Sequence, residues 1–190
     1  NHNTFPIAVG VDIQNDFCPG GSLAVPGGDT VVAPFNAVAA ATRDAGGTVV
    51  FTRDWHPAAT THFDAWPVHC VAETTGAAFH PDLDVQTDDF VISKGTMVDE
   101  DAYSGFDALT PDSISLEDII ESKLEKYEKV VLQIGGLATD YCVKATILDA
   151  LALQERIGHQ RLAVIALEDC MKAVDIAEDD GDKAIAAMKA

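Results

Sequence analysis

The reactive chemistry of this chain centres on one thiol, one amine and a set of carboxylates and imidazoles. Residues 130–143 read Val-Val-Leu-Gln-Ile-Gly-Gly-Leu-Ala-Thr-Asp-Tyr-Cys-Val. An apolar strand-like run ends in two glycines, and a tight glycine-containing turn leads into a helical pattern, with Cys142 in its first turns. A helix N-terminus offers unpaired N–H groups and partial positive charge, which favour thiolate over thiol. The position suits a sulfur nucleophile, and a buried core cysteine is the alternative reading.

Other groups arrive in the same way. Asp12 follows the apolar run 7–11, where a carboxylate serves to bind Mg²⁺, accept phosphate or act as a general base. A D-x-D phosphatase motif would need an acid where Gln14 stands. Lys94 follows the short apolar run 90–93. It is either an ordinary surface lysine or a cation that lowers the pKa of a nearby thiol, ordinarily about 8.5.

Asp54, His56, His62 and His69 fall within a stretch of 16 residues, and they match the preferences of Zn²⁺, Fe²⁺ or Mn²⁺. A polar loop with incidental histidines is the plainer reading. His80 is a weaker ligand candidate, and His2 and His159 look incidental. Phe17, Trp66 and Tyr103 lie in loops and could wall a pocket for a flat ring.

Alternating elements must position these groups. Strands are predicted at 7–11, 48–52, 90–93, 130–134 and 162–167. Helices are predicted at about 29–45, from an N-cap at Ser115 to about 128, at 139–156 and at 175–189. The pattern implies an α/β fold: a three-layer, doubly wound, Rossmann-like parallel sheet with helices on both faces. Residues 1–190 are expected to form one domain. Asp12, Asp54, Lys94, Cys142 and the Glu168-Asp169 pair each follow a predicted strand, so they are expected on one rim, where such sheets carry their sites. Residues 54–89 lack periodicity, and loops that long are usually functional.

Composition sets outer limits. With 31 acidic and 12 basic residues the formal net charge is −19, which disfavours nucleic acid and anionic membranes as partners. No apolar run reaches the ~18–20 residues of a membrane helix. The N-terminal residues do not read as a secretory signal. Cys18, Cys70, Cys142 and Cys170 are widely spaced without a C-x-x-C pair, so a reduced, cytoplasmic protein is expected.

Taken together, several ordered segments are recognisable. They are Val11-Asp12-Ile13-Gln14-Asn15-Asp16-Phe17-Cys18, Arg53-Asp54-Trp55-His56-Pro57, Trp66-Pro67-Val68-His69-Cys70, Ser93-Lys94-Gly95-Thr96, Ala102-Tyr103-Ser104-Gly105-Phe106 and Gly136-Leu137-Ala138-Thr139-Asp140-Tyr141-Cys142-Val143. From about residue 9 to 173 the chain resembles the nicotinamidase/pyrazinamidase branch of the isochorismatase-like cysteine hydrolases. The resemblance implies a catalytic triad of Asp12, Lys94 and Cys142. It implies metal ligands at Asp54, His56 and His69, with His62 a further ligand in some members. It also implies a cis peptide between Leu137 and Ala138, an oxyanion hole from the N–H groups of Ala138 and Cys142, and a substrate pocket of Phe17, Trp66, Tyr103 and Ala138.

The implied reaction is hydrolysis of nicotinamide to nicotinate and ammonia through a Cys142 thioester, as a step of NAD salvage, with pyrazinamide as a second substrate. One divalent transition metal (Zn, Fe or Mn) would bind the ring nitrogen or activate water. Family members usually carry a further short strand after the last helix, whereas this sequence ends in helical pattern. That bears on the sheet edge and on a homo-oligomer. The rivals are another small-amide hydrolase of the superfamily and a non-catalytic, receiver-like module using Asp12 and Asp54 for Mg²⁺.

Overall fold

The fold is given by a computed structural model that describes residues 3–190. Asn1 and His2, the latter read as incidental, lie outside the described residues. Five strands form the frame: β1 (Thr4–Val11), β2 (Thr48–Asp54), β3 (Phe90–Lys94), β4 (Lys129–Leu137) and β5 (Leu162–Lys172). They lie in the order β3-β2-β1-β4-β5, and every neighbouring pair is parallel. Among the described residues, four α-helices accompany them: α1 (Val32–Asp44), α2 (Leu116–Leu124), α3 (Lys144–Ile157) and α4 (Asp180–Lys189). The winding reverses between β1 and β4. In a doubly wound sheet that reversal opens a crevice beyond the carboxyl ends of the strands.

Strand side chains alternate between two cores, as the two-residue period requires. Ile7, Val9 and Val11 pack with Ile119, Ile147 and Met188 on the face covered by α2, α3 and α4. Ala8, Val49 and Phe51 pack with Val32, Phe35 and Ala39 of α1, and with loop residues such as Cys70 and Leu83, on the other. The loop 54–89 therefore completes one layer as well as carrying ligand candidates. Among the described residues no helix is long and apolar enough to cross a membrane.

The predicted elements are all present, with shifted ends that have local causes. β1 begins earlier than expected and includes Pro6; the missing N–H is tolerated there because β1 pairs with β2 only from Ile7 onward. The predicted helix from 29 opens instead as a 3-10 turn over Gly28–Val31. Helix α2 stops at Leu124, short of 128, because the N–H groups of Glu128 and Lys129 turn to the carbonyl of Asn3 and start β4. Residues 175–179 are not helical: Asp175 has φ +53° and its N–H donates to Asp140, which ties it to the turn before Cys142.

β4 continues through the two glycines expected to form the turn. Gly136 has φ +126°, and a Cβ there would lie 2.1 Å from the Val11 carbonyl oxygen, so only glycine lets β4 run this close to β1. The Glu168-Asp169 pair is not on the rim. β5 runs on to Lys172, with a register shift against β4 between Ile134 and Gly136, and both acids are exposed mid-strand. Glu168 pairs there with Lys189.

The expected cap at Ser115 forms a full capping box with Asp118: the Ser115 hydroxyl accepts from the Asp118 N–H at 3.1 Å, and the Asp118 carboxylate accepts from the Ser115 N–H at 2.8 Å. Replacing Ser115 with alanine is expected to lower stability by about 1 kcal/mol, read from urea denaturation, with activity unchanged.

Candidate active site

Three strand ends and one helical turn meet at the reversal point. Asp12 is the first residue past β1, and Asp54 and Lys94 are the last residues of β2 and β3. Cys142 sits in a short π-helical turn, Thr139–Val143, between β4 and α3. Such turns are frequent at functional sites. Asp12 takes a left-handed conformation, φ +50°, which aspartate tolerates better than most residues.

Lys94 is the hub, and its ammonium is fully buried. It donates to Asp12 Oδ2 at 2.8 Å, to Asp54 Oδ1, and to Cys142 Sγ at 3.4 Å. The Ala102 carbonyl lies at the outer limit of the same shell, 3.5 Å away, so the three N–H groups of the ammonium are fully satisfied. The Thr52 hydroxyl donates to the other Asp12 oxygen at 2.7 Å. The triad expected from the resemblance is therefore brought together in space.

The electrostatics follow from burial and these pairings. Burial alone would lower the Lys94 pKa, but the Asp12 and Asp54 carboxylates hold it well above the ordinary lysine value. Burial would raise Asp54, yet Lys94 and then the neighbouring imidazoles hold it well below the ordinary carboxylate range. Asp12 is raised, by burial first, with Lys94 opposing and Asp54 reinforcing. Burial pushes the Cys142 thiol well up; Lys94 pulls it back, and Asp12 and Asp54 push it further up. Burial and the two carboxylates thus oppose the thiolate-favouring pull of the helix end and Lys94, and a carboxylate of raised pKa stands beside the sulfur, placed for general-base activation.

The imidazoles form a second cluster across Asp54. Donor atoms of His56, His62 and His69 lie within 4.8 Å of one another, and all three residues are buried. Each Nδ1 faces an atom that accepts only: the Gly95 carbonyl at 2.9 Å for His56, the Asp101 carboxylate for His62, and the Pro67 carbonyl at 2.6 Å for His69. Each Nδ1 must then carry the proton, which leaves Nε2 as the free donor atom. His56 Nε2 is buried without a hydrogen-bond partner. Asp54 Oδ2 lies 3.5 Å from His56 Nε2 and 3.7 Å from His69 Nε2. An unpaired buried nitrogen among imidazoles and a carboxylate fits a divalent transition metal.

Asp12, Asp54 and Cys142 also lie within 4.8 Å of one another, but Lys94 already supplies positive charge among them. The imidazole cluster is the better cage, which disfavours the Mg²⁺ receiver reading. His80 stands apart, accepting from the Asp82 N–H, and His159 pairs with Glu155 on the surface.

Between the clusters lies a pocket lined by Cys142, Ala138, Phe17, Trp66, Tyr103 and His69 among others. The Trp66 indole N–H donates to the Tyr103 hydroxyl at 3.0 Å, which fixes one wall. The Leu137–Ala138 peptide is cis, as the resemblance implies, and both residues face this space.

Sequence reasoning missed several contributors. Tyr141 lines the cavity and packs edge-on against Trp66, and its place beside Cys142 was the available signal. Gln14, given no role of its own in the sequence, is fully buried and grips the Asp54 backbone: its Nε2 donates to the Asp54 carbonyl at 2.8 Å, and its Oε1 accepts from the Asp54 N–H at 2.9 Å. Leu23, Val25 and Val174 also line the cavity, and nothing in their spacing marked them.

A doubly wound sheet with a thiol, an ammonium and a carboxylate at its reversal point has the makings of a cysteine hydrolase. Residues 6–190 match the Isochorismatase domain family, and the chain belongs to that family. It is 36% identical over 200 residues to the nicotinamidase of Escherichia coli, covering 95% of this chain and 89% of that one. It is 38% identical over 148 residues to the nicotinamidase/pyrazinamidase of Mycobacterium tuberculosis, covering 74% and 76%. Among solved structures, the pyrazinamidase of Pyrococcus horikoshii in complex with zinc superposes with a TM-score of 0.78 at 36% identity, covering 97% of this chain and 94% of that one.

Proposed function

We propose that this chain is a nicotinamidase: a metal-containing amidohydrolase that converts nicotinamide to nicotinate and ammonia, a step of NAD salvage, and pyrazinamide to pyrazinoate. The observation that carries the reading is Lys94, bonded at once to Asp12, Asp54 and Cys142, the last two of which line a pocket walled by Phe17, Trp66 and Tyr103. The E. coli and M. tuberculosis relatives support the substrate.

Asp12 removes the proton from the Cys142 thiol as the sulfur attacks the carboxamide carbon. Lys94, cationic throughout, balances the charge that moves between carboxylate and sulfur. The N–H groups of Ala138 and Cys142 hold the oxyanion; losing one such donor typically costs ~10²–10³ in rate. Asp12 returns its proton to the departing nitrogen, ammonia leaves, and a thioester remains on Cys142. Asp12 then takes a proton from water as it attacks the thioester; the acid product forms and the sulfur is reprotonated. Phe17, Trp66 and Tyr103 sandwich the ring and exclude water.

Asp54, His56, His62 and His69 would hold the divalent metal (zinc, iron or manganese), which supplies Lewis acidity to the ring nitrogen or to water when bound. The zinc in the P. horikoshii relative supports zinc as the first choice. A reducing, cytoplasmic setting suits an enzyme whose nucleophile must remain a thiol.

The test is ammonia release from nicotinamide by the wild-type and His56→Ala proteins, with bound metal measured alongside. His56→Ala is expected to lose metal and to fall at least about tenfold in activity. Full metal content and full activity in that variant would refute the ligand assignment. A wild-type protein inert to nicotinamide but active on another small amide would refute the substrate and keep the chemistry.

A further inference from the structure

His62 is held differently from its two companions. His56 and His69 rest their Nδ1 atoms on backbone carbonyls, whereas the Nδ1 of His62 meets a side-chain carboxylate, that of Asp101. Asp101 reaches the buried ring from outside, with its own side chain 60% exposed. It belongs to the stretch 95–103, which also gives the Gly95 carbonyl to His56 and carries Tyr103, the partner of Trp66 in the cavity wall. Gly95 has φ +64°, and a Cβ there would lie 2.4 Å from the His56 ring, so this stretch is moulded against the imidazoles.

We infer that Asp101 is the positioning residue for the metal centre: by accepting the Nδ1 proton of His62 it fixes the tautomer and ring angle that turn Nε2 toward the ion, and so makes His62 a working ligand. The inference rests on reading the three histidines with Asp54 as the metal site. A neutral imidazole has one proton to place. Without an acceptor at Nδ1 that proton is free to sit on Nε2, where it blocks coordination. A carboxylate in this outer position also raises the basicity of the ligand ring, and loss of such a partner typically costs about 10–100-fold in metal affinity.

The test uses the zinc-loaded full chain, challenged with a chromogenic zinc chelator. Wild type is compared with Asp101→Ala, which removes the acceptor, and Asp101→Asn, which keeps an acceptor oxygen. Asp101→Ala is expected to hold zinc about 10–100-fold more weakly. Asp101→Asn is expected to recover most of that loss. The metal-free thermal midpoints of the three proteins should coincide, because the residue is open to solvent. An Asp101→Ala protein that holds zinc within about twofold of wild type overturns the inference while leaving the metal site intact. So does an Asp101→Asn protein as weak as Asp101→Ala, or a metal-free midpoint for Asp101→Ala that falls far enough to explain its affinity. Failure of the wild-type protein to retain zinc, iron or manganese would remove the metal-site reading itself, and this inference with it.

Discussion

Replacement of Cys142 by alanine is expected to reduce ammonia release from nicotinamide by about 10⁴-fold or more, with little change in the fold. The magnitude is that seen when a covalent nucleophile is removed from a site whose parts act as a unit. The sulfur bonds to Lys94 and sits beside Asp12, so its loss removes the atom that becomes acylated and leaves the base with no thiol proton to take. The Asp12–Lys94 pair survives, because its 2.8 Å contact does not pass through sulfur. Steady-state ammonia release and far-UV circular dichroism check the two halves of this expectation. A Cys142→Ala protein with wild-type turnover would end the thioester mechanism. A folded protein with only residual activity would support it.

Lys94→Met is expected to be damaging in a second way. Methionine matches the length of lysine but not its charge, so Asp12 and Asp54 would be left as neighbouring buried anions. Removing one partner of a buried ion pair typically costs about 3–5 kcal/mol. Catalysis should fall to background at the same time, because nothing then offsets charge on the sulfur. The sign of the pH dependence distinguishes this from ordinary packing damage.

In the wild-type protein Lys94 is raised, so its contribution is present below the ordinary lysine pKa and is lost only as pH rises through the higher folded value. Asp54 is depressed, so its contribution is present above the ordinary carboxylate pKa and fades as pH falls through the lower folded value. In Lys94→Met the uncompensated pair should bind a proton, with a raised pKa for one member. The variant should therefore recover part of its deficit relative to the wild type as pH falls from 8 toward 5, beyond what the raised Asp12 already gives the wild type over the same change. Urea unfolding of the metal-free proteins at both pH values measures this. A deficit that does not narrow on acidification would count against a buried carboxylate pair in need of a cation.

Much of this arrangement was legible in the sequence for definite reasons. The strands carry unbroken apolar runs because both faces of the sheet are covered, and each run ends in the residue that matters: Asp12, Asp54 or Lys94. The histidines were conspicuous because imidazoles are scarce here and four of the six crowd into one loop. What was hidden depends on contacts across long sequence separations. Gln14 clamps a backbone 40 residues away, and no local pattern announces that. Asp101 meets His62 across 39 residues and looked like one more acid in an acidic chain. The glycines before Cys142 looked like a turn because a glycine pair usually is one; they are strand because β4 presses on β1. Glu168 and Asp169 were misplaced because an edge strand outruns its apolar segment.

Asp54 has one oxygen on the ammonium that serves the thiol and the other turned toward two imidazoles. Any substitution at this position is therefore ambiguous by construction. A phenotype at Asp54 cannot be sorted into a lesion of ion capture or a lesion of bond making. Suppressors that restore one half would leave the other unrepaired. In a genetic screen residue 54 would behave as the joint between two modules, and its effects would fail to add to those of either neighbour.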